Sequence, residues 1–181
     1  MLTIIIAVIA CLLAAGVIGL GILAVLASGE AGPKRFATSE PASPIDFFTD
    51  ASWAATVRVE VAQSPANVWE QACDGPLVTL APIVSGPRTA GDERQYHGLI
   101  AATSRTVQSA PESGLIAVGT GVSIPIAVKS FAERIVITGG GGKATIEYTL
   151  AVQPRLIGFL PLRWTAAFIR PFMAFAVKRA F

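Results

Sequence analysis

The stretch FAERIVITGGGGKATIEYTL, residues 131–150, decides the fold. It reads as two β-strands joined by a glycine turn. Strand one runs Val128–Thr138 and strand two Lys143–Val152, with the turn at Gly139–Gly142. Only glycine enters the positive-φ conformations of a tight hairpin turn without steric cost. No helix and no Gly-Lys-Ser/Thr follow the glycines, so they are a turn and not a phosphate loop. Pairing Thr138 with Lys143 sets Arg134 opposite Glu147, an opposite-charge cross-strand pair. The face that carries it also holds Ala132, Val136, Thr145 and Thr149. The other face carries Phe131, Ile135, Ile137, Ala144, Ile146, Leu150 and Val152, with Glu133 and Tyr148 opposite one another. A half-buried antiparallel hairpin is expected, apolar inside and mixed outside.

Working outward, Ala54–Val61 alternates valine and alanine with Thr56, Arg58 and Glu60, the period of a half-buried strand. Ser64-Pro65 then supplies an N-cap and a first helical residue, and Gly75-Pro76 stops the helix after Cys73. A short helix or irregular turn is expected over Leu77–Ala81. Strands are expected near 82–88, 93–100, 103–109 and 113–119, with a bulged or looped edge over Gly119–Pro125. From Pro161 to Phe181 a helix is expected, apolar nearly all round, with Arg163, Arg170 and Lys178 on one stripe and Pro171 inside it.

At the other end, Leu2–Ala27 contains no charge and only Thr3 and Cys11 among aliphatic and small residues. As a helix it is about 39 Å long, against a hydrocarbon core of about 30 Å. Val8-Ile9-Ala10-Cys11 resembles a lipoprotein cleavage box, but it sits too near Met1 and the apolar run continues past it. The expectation is a single transmembrane helix within residues 1–28, a linker over 29–51 rich in glycine, proline and serine, and one domain over 52–181. Ile45, Phe47 and Phe48 are the linker residues able to dock on the domain. Lys34 and Arg35 follow the span and no Lys or Arg precedes it, which favours a cytoplasmic domain at the cell membrane.

Hydrophobic residues are 52% of the chain and its formal net charge is +2. Cys11 and Cys73 fall in different parts of the chain, so no disulfide framework is expected. Basic residues are sparse in the strand region, which speaks against nucleic-acid binding. No spacing of His, Cys, Asp or Glu suggests a metal site, and no cofactor motif is present.

Three stretches together carry a resemblance: VRVEVAQSPANVWEQACD (57–74), GDERQYHG (91–98) and the hairpin at 131–150. Ser64-Pro65, Val68-Trp69 and Asp74 are its scaffold residues. The chain resembles the polyketide cyclase/dehydrase and lipid-transport superfamily, whose fold is similar to Bet v 1 and START domains. The resemblance implies an α+β helix-grip fold. In it a curved antiparallel sheet of about seven strands wraps a long C-terminal helix, with an apolar cavity between. It implies binding of lipids, sterols, polyketides or similar apolar molecules, and no single reaction.

The candidate site residues follow from facing. Glu133 and Tyr148 are inward polar groups on an apolar wall, where a carboxylate needs a donor. Phe131, Ile135, Ile146 and Leu150 share that wall, Phe168 and Phe172 come from the helix, and Lys129 sits nearer the rim. Trp164, Arg163, Arg170 and Lys178 are candidates for membrane or partner contact. His97, beside Tyr96 and Arg94, is the one candidate general base outside this set, with no Cys, His or carboxylate cluster near it in sequence. The expectation is a non-enzymatic membrane-anchored module for a lipid or other apolar small molecule. The alternatives are an accessory subunit of an integral membrane complex and a cyclase/dehydrase-like enzyme.

Overall fold

A computed structural model describes residues 35–124, 127–160 and 162–181. The span expected within residues 1–28 lies outside these. Among the described residues no helix is long and apolar enough to cross a membrane.

The strands are β1 (Phe36–Ala37), β2 (Trp53–Val61), β3 (Val78–Leu80), β4 (Val84–Ala90), β5 (Glu93–His97), β6 (Ala102–Ala110), β7 (Gly114–Val122), β8 (Val128–Gly140) and β9 (Lys143–Pro154). The helices are α1 (Pro44–Asp50), α2 (Pro65–Asp74) and α3 (Ala166–Ala180), the last preceded by a 3-10 turn at Leu162–Thr165. The sheet is antiparallel in the order β2-β9-β8-β7-β6-β5-β4-β3, with β1 added to β7. Its two ends, β2 and β3, both pack against α3. The sheet is therefore a curled half-barrel whose gap the C-terminal helix closes.

The central hairpin forms with a register two residues away from the expected one. Thr138 pairs with Thr145 and Gly140 with Lys143, so Gly141-Gly142 alone make the turn, with φ of 64° and 83°. Positive φ at both turn residues gives the strand twist that a two-residue hairpin needs. A shift of two preserves faces, so Glu133 and Tyr148 still point inward. The pairs change: Arg134 lies opposite Thr149, and Glu147 faces Val136 on β8 and Arg58 on β2. Glu147 makes its closer ion pair with Arg58, at 2.7 Å, and a looser one with Arg134, at 3.8 Å.

Three further expectations are corrected. Leu77–Ala81 holds strand β3 rather than a helix, because Val78–Leu80 pairs with Val84–Gly86. The stretch from Gly119 is bulged as expected, with a register shift against β6 at Thr103/Ser104, but it is no edge: β7 continues to Val122 between β6 and β1. And part of the expected linker belongs to the domain. Ser43 caps α1 by accepting from the Asp46 N–H, with Pro44 opening the helix. Phe48 and Ala51 bury against Val118, Ala132 and Ala151 on the outer sheet face. The Arg134 guanidinium sits 5.1 Å above the Phe48 ring. Small side chains at Ala132 and Ala151 let α1 approach.

Inside the curl lies the main core, in which Val57, Val59, Val68, Ala72, Leu77, Ile135, Ile137, Ile146 and Val177 are buried together. Ser64 caps α2 through the Asn67 N–H as the sequence reading expects. Terminal carbonyls of α3 are satisfied from other elements: Gln71 donates to Ala180 O, and Gln63 to Phe181 O at 3.0 Å.

Because α1 is held by one large buried anchor, Phe48→Ala should cost about 3 kcal/mol of unfolding free energy. Urea unfolding followed by tryptophan fluorescence measures this. A change below about 0.5 kcal/mol would mean that residues 36–50 are an appended linker after all.

Candidate functional site

Between the sheet and α3 lies a cavity of about 330 Å³. Its wall is formed by side chains of Val78, Val84, Ala102, Val122, Phe131 and Leu150 among others, and by Ile169 from α3. The Phe131 ring fits because Gly119 leaves room: a Cβ there would stand 2.2 Å from the ring edge. Tyr96, Glu133 and Tyr148 also line this wall, but the surface exposed to the cavity is almost wholly carbon.

These three belong to a buried cluster drawn from four strands. Glu133 on β8 is 1% exposed and Arg94 on β5 is 3% exposed. Arg94 Nε donates to Glu133 Oε1 at 3.3 Å, and Ser104 Oγ on β6 donates to the same oxygen at 2.8 Å. Tyr96 Oη donates to Glu133 Oε2, and Tyr148 Oη donates to it at 3.3 Å. Arg94 Nη1 donates to Ala72 O at 3.1 Å, tying α2 to the cluster. Arg94 Nη2 has no hydrogen-bond partner among the described residues.

Arg94 does not line the apolar cavity. It lines a second space of about 310 Å³ on the far side, with Cys73, Asp74, Thr89, Asp92 and Thr106. The ion pair thus lies between the two spaces, with Glu133 among the residues of one wall and Arg94 among those of the other.

The electrostatics follow from burial. Desolvation first, then the neighbouring Glu133 carboxylate, push both phenols well above the ordinary tyrosine range. Burial works against the charge of Arg94, but Glu133 and the two phenols outweigh it and raise its pKa. Arg94 therefore stays a guanidinium and both phenols stay neutral across neutral pH. Cys73 is raised by partial burial, then lowered by Arg94 and raised by Asp74, with a net upward shift.

The residues chosen from sequence separate into groups. Phe131, Glu133, Tyr148 and Leu150 stand on the cavity wall. Ile135 and Ile146 face inward but are packed in the main core under α2. Lys129 is exposed and away from the cavity wall. Phe168 and Phe172 are corrected: they are 65% and 61% exposed on the outer side of α3, and Ile169 takes the cavity position. At about 100° per residue, Phe168 and Phe172 fall opposite Ala166 and Val177, which pack on the sheet.

Of the candidate contact residues, Trp164, Arg170 and Lys178 are exposed. Arg163 is engaged within the domain, its guanidinium donating to the α1 carbonyls of Phe48 and Thr49 and to Ala51 O. It acts as a cationic cap on the C-terminal end of α1.

His97 lies on the opposite face of β5 from Tyr96, and partial burial, then Arg35 and Arg88, lower its pKa. Among the described residues no side-chain hydrogen bond joins it to the Glu133 cluster.

Arg94, Tyr96 and Ser104 were missed from sequence. The signal was the alternation in Arg94-Gln95-Tyr96, which puts Arg94 and Tyr96 on one face.

No family model matches the sequence, and no curated protein matches it. Solved structures do. A Rhodobacter sphaeroides protein aligns at 10% identity over 81% of this chain and 93% of its own, with a TM-score of 0.50. A START superfamily protein from Mycobacterium smegmatis aligns at 14% identity over 70% and 96%, with a TM-score of 0.49. The XoxI protein from Bacillus cereus aligns at 14% identity over 71% and 95%, with a TM-score of 0.48. Likeness at these identities concerns the fold alone. The curled antiparallel sheet gripping a C-terminal helix fits the helix-grip fold.

Two outcomes test the cluster. Removing the charge of Glu133 leaves Arg94 buried without its partner, so Glu133→Gln should cost about 3–5 kcal/mol. The double variant Glu133→Gln/Arg94→Met should recover part of that in urea unfolding. Tyr96 and Tyr148 are the only tyrosines of the chain, so absorbance at 295 nm reports on this site alone. Their folded pKa values are raised, so the stability they contribute is present below about pH 10 and lost as pH rises above it. The folded protein should show no phenolate absorbance through pH 10–11. Its urea midpoint should fall over that range, less steeply in Tyr96→Phe and Tyr148→Phe.

Proposed function

We propose that this protein is a binding module for an apolar small molecule, held at the membrane by residues 2–27. The observation that carries the reading is the cavity: about 330 Å³, walled by aliphatic and aromatic side chains, with one polar cluster. That volume falls near the lower end of ordinary ligand pockets, about 300–1,000 Å³. Apolar walls supply affinity and a few placed polar groups supply orientation. The cluster shows no nucleophile poised beside a free base, since Glu133 is engaged by four donors. A binding role fits that chemistry better than a catalytic one.

A second feature favours action at a bilayer surface. Phe168, Phe172 and Phe175 make an exposed stripe on α3, and Trp164 extends it, edge-on to Phe168 at 6.1 Å. Leu156 and Phe159 are exposed in the preceding loop. From Arg155 to Phe181 the charges are Arg155, Arg163, Arg170, Lys178 and Arg179, with no acidic residue. Aromatic side chains flanked by cations match an anionic lipid interface. Residues 28–34, between the apolar run and the domain, reach at most about 25 Å. The reading is therefore that this face rests on the bilayer the first segment enters. Contact with subunits of an integral membrane complex is the competing reading of the same face.

Full-length protein extracted in mild detergent should carry a stoichiometric apolar compound, detected by mass spectrometry of an organic extract. Ala102→Phe, which fills the cavity, should remove it; an empty wild type would refute the binding role. For the surface, a dye at Phe172→Cys in a Cys11→Ser/Cys73→Ser background should be quenched by spin-labelled lipid in proteoliposomes, more strongly with anionic lipid. A blue-shifted dye that no lipid quenches would instead place protein over this face.

A further inference from the structure

We propose that the domain meets the bilayer end-on, with the open end of its half-barrel as the docking surface and lipid as the partner. This rests on the reading of residues 2–27 as the membrane segment. It deepens the surface reading above by naming the end of the domain that enters the lipid.

The register sorts the connections between strands into two sets. Residues 81–83, 98–101 and 155–160 lie at one end of the sheet, beside Val122, where β7 stops. The turns at 91–92, 111–113 and 141–142 lie at the other end. Their chemistry differs. The turns carry Asp92 and Glu112 and no large apolar side chain. The connections at the first end carry no acidic residue, and Arg155 is their one charge. Ile83, Leu156, Ile157 and Phe159 are exposed there, Phe159 at 82%. An apolar patch gathered at one end of a domain marks a contact surface.

The cavity opens at that same end. Its lining residues Val84, Ile100, Val128 and Val152 stand there and are half-buried, while Glu133 and Tyr148, farther along β8 and β9, are buried. Two backbone hydrogen bonds join the exposed residues to this rim. Ile100 N–H donates to Ile83 O at 2.9 Å, and Arg155 N–H donates to Ala127 O at 3.1 Å.

The chain leading into the domain commits this end to lipid. Phe36 pairs with Val122 and Ala37 with Gly121, so Arg35 lies at the mouth end. Ser39 N–H donates to Lys129 O at 2.9 Å, which fastens the same segment to β8. Residues 28–34 reach at most about 25 Å, so the mouth stays within that distance of the apolar run. Lys129 and Arg155 are exposed beside it, cations that suit anionic headgroups.

The test uses the full-length chain in the Cys11→Ser/Cys73→Ser background. One dye is placed at Phe159→Cys or at Lys143→Cys, exposed positions at opposite ends. The proteoliposomes contain phosphatidylcholine, phosphatidylserine and acyl-chain spin label. Quenching at Phe159→Cys should exceed that at Lys143→Cys about threefold or more, since an interfacial apolar face sits about 5–10 Å deep. Adding Ile83→Asp and Leu156→Asp should bring it toward the Lys143→Cys level. Equal quenching at the two ends would overturn the inference. Quenching at Phe172→Cys without quenching at Phe159→Cys would keep lipid on the α3 face and overturn the end-on orientation alone. Quenching at none of the three would take the surface reading down as well.

Discussion

The structure depends on keeping one carboxylate, Glu133, almost wholly out of water. An isolated buried charge costs several kcal/mol, so the side chain survives there only by gathering donors. Those donors come from different strands: Arg94 and Tyr96 from β5, Ser104 from β6 and Tyr148 from β9, all converging on β8. Arg94 also reaches Ala72 O and so ties in α2. The consequence is one of register. A one-residue slip of β8 would turn Glu133 out and an outer-face residue in, stranding Arg94 without its partner. A replacement by well-packed apolar residues could be as stable, so what the cluster contributes is the specification of one arrangement.

The second constraint is closure. An antiparallel sheet open at both ends exposes unpaired edges. Here β2 and β3 both meet α3, so a single helix covers the gap between them. That helix contributes Ala166, Ala176 and Val177 to the interior as buried residues, all short side chains. Short side chains bring the helix near the sheet at one end, while the cavity persists beside Ile169, where Ala102 and Val122 project little. Gly119 completes the arrangement by leaving room for the Phe131 ring against β7.

How far the sequence disclosed all this depends on which signals were local. The hairpin at 131–150 was legible because facing has period two: a register error of two residues leaves every side chain on its correct face. Which pairs meet was not legible, since four consecutive glycines permit several turns and only the geometry selects Gly141-Gly142. Ser64-Pro65 marked α2 correctly, and Ser43-Pro44 is the same signal for α1, hidden in a stretch whose prolines and serines read as linker. β3 is too short for periodicity to show. Arg94 and Tyr96 alternate visibly, but an arginine on a strand ordinarily faces solvent, and only the three-dimensional position of Glu133 makes an inward one affordable. The helix misled for the opposite reason. Its apolar residues encircle it, so periodicity could not say that Ile169, rather than Phe168 or Phe172, faces the cavity.

That encirclement separates two tasks along one chain. The cavity's chemistry is written on the sheet: of its lining residues only Ile169 comes from α3, and every polar group comes from β5, β8 or β9. The outer side of α3 carries the exposed aromatic side chains of Phe168, Phe172 and Phe175, with Arg170 and Lys178 exposed on the same helix. Ile169 is where the two meet, lining the cavity and still 43% exposed beside Phe168. A change on the outer stripe can therefore alter the surface of α3 without touching the cavity wall. A change at Tyr96 or Tyr148 does the reverse. Ile169 is the one cavity-lining position of α3 at which the two effects cannot be separated, because the same side chain faces both the ligand space and the surroundings.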